Sequence, residues 1–187
     1  KEQNIVFADG NHTYTKDGEF WTGVTTILRV KNQDFLKWWT VKLMYETLLT
    51  KQAQIKKATK EQYLAILEEA KKAHTVKSDT AKDTGKIVHE WIEGYIKAKI
   101  ARVERTTGLV EGDDVKRAID AFLEWERATQ VVWLASEAIV GSPTHKFAGT
   151  LDVLAYTEKG LTVIDLKTSS QISEEYFLQL AGYQICL

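Results

Sequence analysis

Residues 147–168 read Phe147-Ala148-Gly149-Thr150-Leu151-Asp152-Val153-Leu154-Ala155-Tyr156-Thr157-Glu158-Lys159-Gly160-Leu161-Thr162-Val163-Ile164-Asp165-Leu166-Lys167-Thr168. The stretch is dense in β-branched and aromatic residues and is divided by the turn signal Glu158-Lys159-Gly160, which predicts two strands, His145 to Tyr156 and Leu161 to Thr168, folded back on each other. Alternate side chains of a strand share a face, so Asp165 and Lys167 project together while Ile164 and Leu166 point into the opposite layer. The short turn brings Asp152 of the first strand toward Asp165 of the second.

Working outward, Val131 to Val140 reads as a strand ending in the turn Gly141-Ser142-Pro143, which makes the three runs an antiparallel meander. Glu137 is an acid inside this otherwise apolar strand, so three acids converge on one sheet surface. Upstream the period changes to that of helices. Residues 112 to 129 carry Val115, Ile119, Phe122, Leu123 and Trp125 after a turn near Gly108. Residues 78 to 100 start at Ser78 or Asp79 and present Ile87, Val88, Trp91, Ile92, Tyr95 and Ile96, with Gly85 and His89 four apart on one side. A shorter helix opens with Thr59 and Gln62 as a capping box, and another runs from Phe35 to about Leu49 behind the candidate cap Asp34.

The N-terminus reads as a small β element: Ile5 to Ala8, the turn Asp9-Gly10-Asn11, His12 to Lys16, Asp17-Gly18, then the run Phe20 to Leu28. The last segment, Ser173 to Leu187, returns to helical spacing. The fold class is α+β, with helices packed on a mixed sheet, an N-terminal β-hairpin and a helical insertion.

The 187 residues suffice for one domain with a hydrophobic core, and 44% apolar and 27% charged residues are ordinary for a globular chain. Residues 1–187 are expected to form a single domain. The net charge of −1 supplies no global basic field, although Lys51, Lys56, Lys57, Lys60, Lys71, Lys72, Lys77 and Lys82 fall in one stretch. That stretch is either a solvated helix face or a phosphate-contacting one. The lone Cys186 excludes an internal disulfide, an iron–sulfur cluster and a cysteine zinc site, and a reducing, cytoplasmic setting is the simplest expectation. No apolar run approaches the ~18 residues of a membrane span, and no signal-peptide pattern opens the chain. The chain begins at Lys1 without methionine and stops at Leu187 within an apolar helical pattern, which reads as an incomplete C-terminus.

Clustered carboxylates repel each other and resist desolvation unless a cation offsets both effects. Oxygen donors select hard ions, so Mg2+ or Mn2+, one ion or two, is the expected occupant. Such an ion beside a lysine outlines a site for phosphodiester hydrolysis.

Asp152, thirteen positions before Asp165-Leu166-Lys167, resembles the signature of the PD-(D/E)XK nuclease superfamily. Gly149-Thr150-Leu151-Asp152 is similar to the G-x-x-D form of its RecB-type exonuclease branch. Gly85-Lys86-Ile87-Val88-His89 resembles that branch's helical G-x-x-x-H motif, Glu137 its preceding strand acid, and Gln179-Leu180-Ala181-Gly182-Tyr183 its Q-x-x-x-Y helix. Gly23-Val24-Thr25-Thr26-Ile27-Leu28, with Leu36 and Trp39, is similar to the opening of compact phage-type and mitochondrial genome-maintenance exonuclease-like members.

The resemblance implies a restriction-endonuclease-like core and a metal-dependent deoxyribonuclease, with DNA that is single-stranded or has a free end as the partner. It implies His89, Asp152, Asp165 and the Leu166 backbone carbonyl as metal ligands. Lys167, Asp165, Asp152 and Glu137 become catalytic residues, and Gln179 and Tyr183 hold and frame the substrate; Thr168, outside the motifs, either caps the strand end or touches the substrate phosphate. His89 alone has an ordinary reading as a buried structural histidine, and Gln179 and Tyr183 as core residues. The motif order favours the functional one. An endonuclease and a catalytically inactive DNA-binding or structural module are the competing functions.

Overall fold

The computed structural model describes residues 4–8, 13–30, 34–104 and 110–187, and excludes the side chains of residues 34 and 35. The expected turns at Asp9-Gly10-Asn11 and Gly108, His12 and the capping side chain of Asp34 lie outside the described residues. The elements are β1 (Ile5–Ala8), β2 (Thr13–Lys16), β3 (Glu19–Gly23), α1 (Val24–Leu28), α2 (Asp34–Thr50), α3 (Gln52–Ile55), α4 (Lys60–Ala101), α5 (Asp113–Thr129), β4 (Val132–Ser142), β5 (Phe147–Thr157), β6 (Gly160–Ile164) and α6 (Glu174–Cys186). The protein is α+β, a curled mixed sheet flanked by helices, as the patterning predicts. Among the described residues no helix is long and apolar enough to cross a membrane.

The chain divides into two compact units, Lys31–Asp83 and the remainder. The first contains α2, α3 and the beginning of α4. Lys51 pairs with Glu69 at 2.5 Å, and Leu43 and Ala70 are buried. Thr59 and Gln62 form the expected capping box: the Thr59 N–H donates to Gln62 Oε1 at 2.9 Å, and the Gln62 N–H to Thr59 Oγ1 at 3.3 Å. The two helices expected over residues 59–70 and 78–100 are one continuous helix, α4. Ser78 and Asp79 do not begin a helix, because no glycine or proline interrupts residues 60–84 and the helix passes through them.

The second unit holds the sheet, in the order β1-β2-β3-β5-β4, with β6 also paired to β5. The antiparallel meander β4-β5-β6 is present as expected. Two features were not expected. The run Phe20 to Leu28 is strand only to Gly23 and continues as α1, and β3 pairs in parallel with the start of β5 through Thr22↔Phe147 and Gly23↔Ala148. Further along β5, Val153 to Thr157 pair with β6. Strand β5 has only two edges and β4 occupies one, so β3 and β6 share the other in succession and leave a gap between Ala148 and Val153. Asp152 lies in that gap.

Besides the cluster of Ile5, Tyr14, Trp21 and Ala148, two clusters make the core around β5. Val88, Ile92 and Ile96 of α4 and Val115, Ile119 and Phe122 of α5 pack with Val153 and Ala155. Val24 of α1 and Tyr183 of α6 pack with Leu151. Two glycines permit the second cluster, since a Cβ on Gly149 would lie 2.5 Å from the Tyr183 ring and one on Gly182 would lie 2.8 Å from Val24. Glu126 of α5 fastens the first cluster, accepting from Tyr95 Oη at 2.6 Å and Trp133 Nε1 at 2.8 Å.

Candidate active site

The ladders bring the three acids into line. Glu137 and Asp152 lie between the ladder pairs Ser136↔Val153 and Ala138↔Leu151, and Asp152 and Asp165 are the residues next beyond the last β5–β6 pair, Val153↔Ile164. Glu137, Asp152 and Asp165 therefore occupy one row across β4, β5 and the end of β6. Glu137 has a left-handed backbone, φ 53°. This conformation is uncommon for a residue with a Cβ and recurs where a sheet is distorted to aim a functional side chain.

Strand β6 ends at Ile164, short of the expected Thr168, so Asp165-Leu166-Lys167 follows the last ladder pair. At that point β5 offers a side chain in place of a backbone partner: the Leu166 N–H donates to Asp152 Oδ2 at 2.6 Å. The Ser136 hydroxyl donates to the Asp152 carbonyl at 3.2 Å, fixing the same residue from the β4 side.

The Asp165 side chain is 3% exposed, and neither carboxylate oxygen has a hydrogen-bond partner. Lys167 Nζ lies 2.5 Å from Asp165 Oδ2, an ion pair in distance that lacks the angle of a hydrogen bond. The same ammonium stands 5.1 Å from the centre of the Tyr176 ring. His89 of α4 places Nδ1 3.9 Å from Asp152 Oδ2, so the helix motif and the strand motif do meet. Gly85, one turn earlier, lets Thr168 lie close to α4, where an added Cβ would meet Thr168 Oγ1 at 3.2 Å.

The electrostatics follow from crowding. Burial raises the Asp152 carboxyl above its ordinary range. The Leu166 N–H acts against this, Asp165 adds to it, and His89 and Lys167 oppose it. Glu137 is exposed as a residue, yet its carboxyl is pushed up to about 7, first by partial burial and then by Asp152 and Glu93. Tyr183 is raised to about 12 by burial and remains a neutral phenol. Its hydroxyl accepts from Gln179 Nε2 at 2.9 Å.

Three acids in one row, one of them buried with neither oxygen hydrogen-bonded, suit a hard divalent cation. Among the described residues, no three His, Cys, Asp or Glu side chains stand close enough to enclose an ion. The Leu166 N–H and the His89 ring meet the Asp152 carboxylate, and the Lys167 ammonium meets that of Asp165.

The sequence model of the PD-(D/E)XK nuclease superfamily matches residues 52–187, the larger part of the chain. The chain belongs to the PD-(D/E)XK nuclease superfamily. Its members are metal-dependent nucleases that hydrolyse phosphodiester bonds, with Mg2+ or Mn2+ as the usual ions and DNA as substrate. A comparison with curated proteins returned no match.

As a PD-(D/E)XK nuclease, the chain places the expected site residues in two groups. His89, Glu137, Asp152, Asp165 and Lys167 come together around the acid row. Gln179 and Tyr183 form the second, a hydrogen-bonded pair on α6 whose tyrosine is buried against Gly149 and Val24 and feels the charges of Asp165 and Asp152. Thr168 is exposed on the segment following Lys167. Sequence reasoning missed Glu93, Tyr176 and Ser136. Glu93 had a signal, since it stands four residues after His89 and hence on the same side of α4. Tyr176 lies in the helically spaced last segment, whose pattern does not single it out, and nothing in the pattern marked Ser136.

Proposed function

We propose that this PD-(D/E)XK nuclease is an exonuclease of the RecB type, with residues 1–187 working as one nuclease domain on DNA that is single-stranded or has a free end. The observation that carries the reading is the row Glu137-Asp152-Asp165 with Lys167 at its end and His89 beside Asp152. The motif order, G-x-x-x-H before the strand acid, G-x-x-D, D-x-K and Q-x-x-x-Y, supports the RecB branch over others.

In this reading Asp152, Asp165, His89 and the Leu166 carbonyl hold one or two ions. When bound, Mg2+ or Mn2+ polarises the phosphodiester and stabilises charge on the leaving oxygen. The protein groups do the rest. Lys167, which Asp165 and Tyr176 keep in place, orients the attacking water and offsets negative charge building on the phosphate. Glu137, beside Asp152, supports the metal or its water from β4. The Leu166 N–H fixes the Asp152 carboxylate so that it does not rotate away. Thr168 faces the strand, and the Gln179–Tyr183 pair frames the site from α6.

The test compares end-labelled linear DNA with covalently closed circles in Mg2+ or Mn2+, using Asp165→Ala and Lys167→Ala as controls. Loss of linear DNA alone, abolished in both variants, is the expected result. Cutting of circles would make the protein an endonuclease, and no cutting of either would make it a binding or structural module.

A further inference from the structure

A cavity of about 280 Å³ lies between α4, α5 and the segment after β6, and no role proposed above uses it. Its walls are apolar: Val88 and Ile92 from α4, and Ala118, Ala121, Phe122 and Trp125 from α5. Its remaining side is the run Asp165 to Thr168, the same residues that carry the candidate chemistry. Trp125 is 38% exposed although its ring stands 6.2 Å from both Phe122 and Trp133, so part of a large indole is left without protein against it.

An apolar cavity just below the ~300–1,000 Å³ range of small-ligand sites admits one ring system, not a length of chain. Its position selects which ring. A phosphate drawn to Lys167 carries a sugar and base that must go somewhere within one nucleotide of the ammonium, and this cavity borders Lys167 directly. A base is a flat, largely apolar π-system that stacks on exposed aromatic side chains regardless of its identity. The cavity has aromatic residues on one wall and small alanines on the same helix that leave room for a ring.

We infer that the cavity bounded by Trp125, Phe122 and Ala121 seats one nucleobase of the bound strand, next to the phosphate held at Lys167. This rests on the nuclease reading of the same site. It adds a base subsite that tolerates sequence and requires the nucleotide to be unpaired, since a base in a duplex is stacked and cannot enter. The inferred preference is therefore for single-stranded or frayed DNA.

Single-stranded oligonucleotides carrying one abasic nucleotide, moved stepwise past the scissile bond, test this with the unaltered full chain. At one position the abasic substrate should show KM raised on the order of tenfold, as expected for the loss of one stacked base, with kcat little changed. Ala121→Phe, which fills the cavity, should give an intact substrate the abasic KM and respond no further to the abasic position. If abasic substitution changes KM less than twofold at every position, the subsite is absent. Retention of normal discrimination by a folded Ala121→Phe protein would also overturn it. A second readout needs no cleavage: in EDTA, oligonucleotides with 2-aminopurine at successive positions should change emission on binding at one position only, and Trp125→Ala should remove that change. Failure of the nuclease reading would abolish cleavage of every substrate and leave this binding signal intact, whereas failure of the subsite would remove the positional signal and leave cleavage intact.

Discussion

Glu137 stands beside Asp152 between the ladder pairs Ser136↔Val153 and Ala138↔Leu151, and its carboxyl is pushed up to about 7 because partial burial and the neighbouring acids Asp152 and Glu93 disfavour its charge. An acid whose folded pKa is raised keeps its proton in the native state while the unfolded chain has already lost it. Stability contributed by that proton is therefore present at low pH and declines as pH rises between the ordinary carboxyl value, 4.5, and about 7. The decline should be gentle, since Glu137 is an exposed residue screened by solvent. Urea midpoints in EDTA should fall from pH 5 to pH 7.5, and Glu137→Gln should flatten the slope. A midpoint that rises over this interval in wild type and not in the variant would contradict the crowded row.

Asp152 sits between two other acids and accepts one backbone hydrogen bond. Asp152→Asn keeps an acceptor for the Leu166 N–H and removes one charge from the row. Expected outcomes are thermal stability in EDTA at or above wild type, loss of the stabilisation that Mg2+ or Mn2+ gives the wild type, and cleavage reduced by at least a hundredfold. Clear destabilisation without metal would show that the negative charge, and not the acceptor, holds the strand end.

Lys167 is the cation nearest the buried Asp165 carboxylate. Removing one member of such a pair leaves a charge uncompensated, which costs more than removing both. Lys167→Met should lower stability by about 1–3 kcal/mol, reduced from the fully buried case because the lysine is partly exposed. The double variant with Asp165→Asn should recover much of this in urea unfolding while remaining inactive. Equal stability of single and double variants would mean that the pair has no coupling.

Gly85 allows Thr168 to approach α4, and alanine at this position is the better helix former by about 0.8–1.0 kcal/mol. The contact it creates is with an exposed, movable side chain. Gly85→Ala should leave the melting temperature unchanged or slightly raised, yet reduce kcat/KM severalfold by displacing Thr168 and its neighbour Lys167. A fall in melting temperature would place the strain in the core instead.

Gly149 is the opposite case, because an added Cβ would meet the buried Tyr183 ring, which has nowhere to go. Gly149→Ala should cost about 1–3 kcal/mol by overpacking, read as a lowered urea midpoint with unchanged m-value. A neutral result would mean that α6 can lift from β5.

The strands of the meander, the α+β class and the positions of α2, α5 and α6 were legible because each depends on local period and turn residues. The acid row was legible in outline for the same reason: thirteen residues and a three-residue turn leave Asp152 little choice but to approach Asp165. Long-range effects were not legible. The β3–β5 pairing is set by packing between segments far apart in sequence, and the end of β6 by the side chain of Asp152 competing for the Leu166 N–H. The false start at Ser78 or Asp79 came from treating capping residues as breaks, when they break a helix only where the chain can leave it. Trp125 was visible only as one more apolar position of α5, since a helical pattern says which residues face inward and not where the interior leaves a space.

The parallel pairing of Thr22 and Gly23 with Phe147 and Ala148 also has a consequence for synthesis. A ribosome adding about 5–20 residues per second needs roughly 6–25 s to cover the intervening ~125 positions. During that interval β3 presents an open strand edge with no native partner yet made. The N-terminal hairpin must wait for the C-terminal strands before the sheet can close, so the protein's exposure to misassociation is concentrated in its nascent form.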